Sequence, residues 1–218
     1  VHTEVDFEHA ARDLEMEFAY VDFKFNPSFN VRAGTLLMPV GPLNETHEPT
    51  LFYSVERPNV EKTIIPTTWQ EGGLGIFGSP LAGLAYKLYL VSSLNAEKFS
   101  AKDGIRNGRG KVNNAPTDKP AIVARVEYAA LAGLDLGLSL YQGGAKGATT
   151  TALNTALGNA AVEITEADIR YRIKRADLRF VYVTTKIDDA AKTGTKADTA
   201  KNGVIGEKVN GMYLEAAY

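Results

Sequence analysis

The connections of this chain alternate in length, and few architectures tolerate that pattern. Read for period-two alternation, the 218 residues give about ten strand-like segments. At one end the segments are joined by turns of about four residues. At the other end, after the first hairpin, they are joined by stretches of about 12 to 30. A soluble β-sandwich has no reason to sort its loops this way. A transmembrane β-barrel of the bacterial outer membrane does, with short periplasmic turns and long extracellular loops. The expected fold is therefore all-β, an antiparallel transmembrane β-barrel, with residues 1–218 forming a single barrel domain.

The strands carry the same message at finer scale. Val1, Thr3, Val5 and Phe7 alternate with His2, Glu4, Asp6 and Glu8. In Leu14–Phe25 the apolar set changes phase near Tyr20, which predicts a bulge there. The clearest hairpin is Glu163–Lys174 with Asp177–Ile187. Ala167, Ile169, Tyr171 and Ile173 share one face; Asp168, Arg170, Arg172 and Lys174 share the other. Strand lengths near 10 residues suit tilted membrane strands, whereas strands of soluble proteins average about 5–6. Alternation alone allows the apolar face to pack a core or to meet lipid. Strand length and loop sorting favour lipid.

A mean hydropathy of -0.16 does not oppose this, because alternate residues of a barrel and its long loops are polar. No apolar run approaches the roughly 20 residues of a membrane helix. A net charge of -2 argues against nucleic acid as a partner. The absence of cysteine excludes a disulfide framework, a zinc finger and a thiol nucleophile. No nucleophile elbow or phosphate-cradling glycine loop is present, and the three histidines stand in unrelated contexts, so neither an enzyme, a cofactor nor a metal site is expected. The chain opens at Val1 inside a strand with no leader. An exported protein carries one, so either it has been cleaved or the chain starts inside a longer protein, and the second is the expectation.

The stretch from Asn30 to Gly78 reads NVRAGTLLMPVGPLNETHEPTLFYSVERPNVEKTIIPTTWQEGGLGIFG. It resembles the bacterial porins grouped with the phosphate-selective porins O and P. In these a strand of type RAG-x-x-x-x-P leads into a loop with NE-x-HEP, F-x-x-V-x-RP and IIPTTW, then a glycine-rich strand. LVSSLNAEKFSAKDGIRNGR and GEKVNGMYLEAAY extend the likeness through most of the chain. The resemblance implies an outer-membrane homotrimer whose barrels, of about sixteen strands, pass small solutes and in some members anions. Ten strands are too few for that barrel. An open sheet in lipid leaves edge groups unpaired, so the expectation is part of a larger barrel, with a smaller closed barrel as the alternative.

Several residues are candidates for the passage itself. Gly41–Trp69 contains Pro42, Pro49, Pro58 and Pro66, which exclude regular strand pairing. Its apolar Ile64, Ile65 and Trp69 suit a loop folded inward as a constriction, with Glu45, His47, Glu48, Arg57 and Trp69 as constriction candidates. An ordinary extracellular loop is the alternative. His47 lies between Glu45 and Glu48 without a second histidine, which suits hydrogen bonding rather than a metal. Arg32, Lys87, Arg125, Arg170, Arg172, Lys174 and Arg179 fall on polar faces, where a row of cations favours anions. Asp6, Glu8, Glu127, Asp168 and Asp177 share those faces and can neutralise it.

Tyr20, Phe25, Tyr86, Tyr128, Tyr141, Phe180, Tyr182 and Tyr218 suit aromatic girdles at the two lipid interfaces. Lys98, Lys102, Arg106, Arg109 and Lys111 can meet lipopolysaccharide phosphates or simply be solvated. The functional expectation is an outer-membrane porin for passive diffusion of small hydrophilic solutes or ions, possible anion preference included. The alternatives are a small non-conducting structural or adhesive barrel and a soluble ligand-binding β-sandwich.

Overall fold

The computed structural model describes residues 1–8, 13–46, 51–112, 120–146, 162–188, 190, 193 and 203–218. Ten long strands form one antiparallel sheet: β1 (His2–Glu8), β2 (Asp13–Asn26), β3 (Phe29–Leu37), β4 (Gln70–Leu81), β5 (Leu84–Val91), β7 (Ala121–Leu131), β8 (Leu134–Gly143), β10 (Val162–Ile173), β11 (Ala176–Ile187) and β12 (Lys208–Ala217). Two short strands, β6 (Leu94–Asn95) and β9 (Ala145–Lys146), pair in parallel outside it. Each long strand is bonded to the next in sequence, so the sheet is an uninterrupted meander. Its edges are β1 and β12, which are not bonded to one another; the sheet is open.

The all-β antiparallel expectation holds, and so does the sorting of connections. On one side the links are the two-residue turns Pro27–Ser28, Ala82–Gly83, Ala132–Gly133 and Lys174–Arg175, tighter than the sequence suggested. Gly83 and Gly133 take φ of 76° and 78°, the left-handed backbone that tight hairpin turns demand. Lys174 adopts φ 55° in its turn, so it lies beyond the strand in which the alternation had placed it. The hairpin ends one residue sooner because a two-residue link needs that position. The bulge is also displaced. Register between β1 and β2 shifts between Glu4 and Val5, opposite Phe18 and Met16, leaving Glu17 as the extra residue. Tyr20 itself is regularly paired with His2 and Gly34. The change of face seen near Tyr20 is the consequence of that earlier insertion.

The two faces of the sheet differ, although the pair Glu163–Lys186 stands on the apolar one near the long-loop end. On one, Leu88, Val126, Leu138, Ile169, Phe180 and Leu214 are exposed, Leu138 at 61% and Leu214 at 72%. No second sheet covers them among the described residues, so the layered sandwich is not the architecture found. The other face is covered near its long-loop end. There Tyr89, Val123, Tyr141 and Ile164 from adjacent strands are buried beneath Met38, Val40, Ile65, Trp69, Phe99 and Ile105 from the connections. The core thus lies between the sheet and its own loops. Burial of side chains of this size stabilises by about 1.5–3 kcal/mol each.

Candidate functional site

The segment between β3 and β4 is pinched at its neck and then laid across the covered face. The Met38 N–H donates to the Trp69 carbonyl at 2.9 Å. Asn44 locks this junction: its Nδ2 donates to the Met38 and Trp69 carbonyls at 2.7 and 2.8 Å, and its Oδ1 accepts the Trp69 N–H at 2.9 Å. Trp69 is fully buried, its ring 4.9 Å from that of Tyr141 and its Nε1 donating to Glu71 at 3.1 Å.

From the neck the loop touches strands far from its own. The Gly41 N–H donates to Ser139 Oγ on β8 at 3.2 Å. Glu45 meets Lys87 of β5 at 2.5 Å. Arg179 of β11 donates to the Leu51 carbonyl at 3.0 Å and stacks 3.9 Å over the Tyr53 ring. Glu61, in the helical turn Val60–Ile64, accepts from the Tyr213 hydroxyl of β12 at 3.2 Å. One loop therefore spans the face from β5 to β12.

The second long connection braces the first. Arg106 Nη1 donates to the carbonyls of Lys62 and Thr67 at 3.1 and 3.0 Å. Arg109 Nη1 reaches the carbonyls of Thr67 and Thr68 at 2.7 and 2.8 Å and the Thr68 hydroxyl at 2.7 Å. Thr68 sits at φ 59°, a non-glycine residue in the left-handed region held by this clamp. Both arginines had been grouped with the cations available to lipopolysaccharide; only Lys98 and Lys102 of that group stand exposed.

Beneath the loop lies a belt of paired charges. Strand register sets Lys87, Arg125, Ser139 and Glu166 side by side on β5, β7, β8 and β10. Arg125, with 4% of its side chain exposed, meets Asp168 at 2.9 Å, Glu127 at 3.0 Å and Glu166 at 3.3 Å, and donates to Ser139 at 2.8 Å. Lys87 adds Glu127 at 3.6 Å. Gly137 makes this cluster possible, since a Cβ there would stand 2.1 Å from Asp168 Oδ2 and 2.4 Å from an Arg125 nitrogen. Nearer the turns, Arg170 meets Asp177 at 2.5 Å, Arg172 meets Asp135 at 2.6 Å and Arg179 lies 3.8 Å from Asp177. Arg32 grips Asp22 through two bonds, at 2.7 and 3.0 Å, beneath the Tyr20 ring.

Among the described residues, every cation expected to line a passage except the turn residue Lys174 therefore has a carboxylate partner. Around Lys87 and Arg125, two cations face four carboxylates. Glu127, Asp168 and Asp177 had been singled out as neutralising groups, whereas Asp22, Asp135 and Glu166 had not. Glu166 shares its strand face with Asp168 and was legible from period two. The side chains of Asp6 and Glu8, and residues His47 and Glu48, lie outside the described residues.

Arg57 turns into the loop, where its Nη1 donates to Thr67 Oγ1 at 2.7 Å and burial lowers its pKa. Asn44 and Glu61 were missed, because a lone polar residue in a polar loop carries no signal. Tyr20 and Tyr141 do not belong to a girdle: Tyr20 stacks on His2 at 5.0 Å and Tyr141 is buried under Trp69. Phe25, Tyr128, Phe180, Tyr182 and Tyr218 are exposed.

Space remains between the loop and the strands, and again nearer the short turns. A cavity of about 80 Å³ separates Leu43, Thr46 and Leu51 from Arg170, Arg179 and Tyr213. A wider recess of about 510 Å³ opens toward the short turns, bounded by Lys24, Asn30, Phe77 and Lys87. Among the described residues no cluster of three or more acids, histidines or cysteines suits a metal ion.

No protein-family model matches this chain, and no solved structure matches it. It is similar to an uncharacterized protein of Aquifex aeolicus (strain VF5), 32% identical over 231 residues. That alignment takes in 100% of this chain and 51% of the relative, so the chain spans about half the length of the curated protein it matches.

Proposed function

We propose that this chain builds the wall and the constriction of an outer-membrane porin that passes small hydrophilic solutes by diffusion. The observation that carries the reading is the division of the sheet. Its aliphatic and aromatic residues lie bare on one face, broken near the long-loop end by the pair Glu163–Lys186, while the paired arginines and carboxylates lie on the other beneath an inwardly packed loop. Bare aliphatic and aromatic residues run across this face from β2 to β12, whereas a soluble monomer rarely exposes a contiguous apolar patch beyond a few hundred Å². In a bilayer that face meets acyl chains, and the ionic face borders water. Both edge strands then need partners, since unpaired backbone groups in hydrocarbon each cost several kcal/mol. A barrel of about sixteen strands supplies them.

The loop from Gly41 to Trp69 is the constriction of this channel. Its contacts with β5, β8, β11 and β12 hold it across the lumen, between the recess near the turns and the second long loop. The lumen charges are a paired network, which favours general diffusion over a lane for anions. Lys98 and Lys102 remain to meet lipopolysaccharide phosphates. Planar-bilayer recording of the intact protein tests the reading. Discrete conductance steps are expected; a protein that inserts and never conducts removes it.

A further inference from the structure

We propose that the contact between Glu61 and Tyr213 is a proton-operated latch, which holds the first long loop across the lumen and frees it as pH rises. This rests on the porin reading for its consequence, though not for its geometry. The helical turn Val60–Ile64 sits on β12 at Gly211, where a Cβ would lie 2.4 Å from Ile64 Cδ1 and 3.1 Å from Val60 Cγ2. The missing side chain is the seat for the loop. Glu61 enters with its carboxyl fully buried against Gly41, whose absent Cβ would stand 3.1 Å from Oε2. Oε1 accepts from Tyr213 at 3.2 Å, and Oε2 has no hydrogen-bond partner among the described residues.

The groups that act on this carboxyl come from several elements: Tyr213 from β12, Asp168 from β10, Arg125 from β7 and Arg57 from the loop itself. Arg106 approaches the same turn but is bound to the Lys62 carbonyl. Arg125 is held by Asp168, Glu127 and Glu166, and Arg57 by Thr67. Neither cation contacts Glu61 in an ion pair. A neutral acid fits this pocket with one bond; an ionised one is an uncompensated buried charge.

Burial accordingly raises the Glu61 pKa from 4.5 to about 8. In the released loop water restores the ordinary value. The docked form is therefore fully favoured below the ordinary value and loses its advantage as pH rises toward about 8. Linkage of one proton changes the released-to-docked ratio by up to about tenfold per pH unit across that window.

A spin label at Lys62→Cys reads the latch directly, because the chain has no cysteine and Lys62 is exposed beside Glu61. In the intact protein in detergent, the mobile fraction is expected to climb as pH is raised from 5 to 9. Glu61→Gln, neutral and of the same shape, is expected to stay immobile throughout. Tyr213→Phe is expected to raise the mobile-to-docked ratio at pH 5 by roughly fivefold, the loss of one hydrogen bond. An unchanging label in the parent, or an identical climb in Glu61→Gln, overturns the latch.

Bilayer conductance that grows over the same pH range, and not in Glu61→Gln, supports its role in gating. A pH-independent conductance overturns that role. Absence of any conductance refutes the porin reading and leaves the spin-label result to decide the latch.

Discussion

The covered face of the sheet is built on two opposite principles, only two residues apart. In one register row Tyr89, Val123, Tyr141 and Ile164 stand side by side and are dry. In the next row toward the turns, the same strands present Lys87, Arg125, Ser139 and Glu166. The strand backbone is the same in both. What differs is the material laid on top. Trp69, Ile65 and the second long loop seal the first row. The second row lies against Gly41 and Glu45, which bring polar groups. The loop is thus the other half of the core at one end and a partner in an ion network at the other.

The comparison breaks most sharply at Arg125. Arg125→Ala leaves Glu166 and Asp168 buried together without their cation, which is expected to cost about 3–5 kcal/mol in urea unfolding of the folded protein. Equal stability of mutant and parent would show that water already solvates this row. Asn44→Ala leaves the buried Trp69 N–H without its acceptor, for an expected loss of about 1–3 kcal/mol. It should also speed proteolysis between β3 and β4, visible as cleavage on a gel.

In the dry row, Ile164→Val removes one methylene and is expected to cost about 0.5–1.5 kcal/mol by the same unfolding measurement. A smaller loss would mean that the loops relax onto the gap. Arg172→Ala breaks a pair whose partners are half exposed, so a change of only about 0.2–1 kcal/mol is expected. Added salt should erase it.

Much of the sheet could be read before any coordinates. Ile169, Tyr171 and Ile173 oppose Asp168, Arg170 and Arg172 because side chains alternate across a strand, and local sequence carries that rule. Loop sorting was legible for the same reason, since glycine at Gly83 and Gly133 marks the tight links. The bulge was harder. An extra residue at Glu17 displaces the apolar phase downstream, so the signal surfaced near Tyr20, three residues late.

The partners of the charges could not be read, because Glu45 and Lys87 meet across 42 positions and Glu61 and Tyr213 across 152. No local pattern encodes such distances. Arg106 and Arg109 looked like surface cations for the same reason. Their targets are carbonyls of a different loop.

Those two arginines have a consequence for how such a loop changes over evolutionary time. Their grip is on main-chain oxygens at Lys62, Thr67 and Thr68, which every residue type supplies equally. Exchanging the side chain at Lys62, for example, leaves this grip on the main chain in place, so the path of the strap there does not depend on which residue stands at that position.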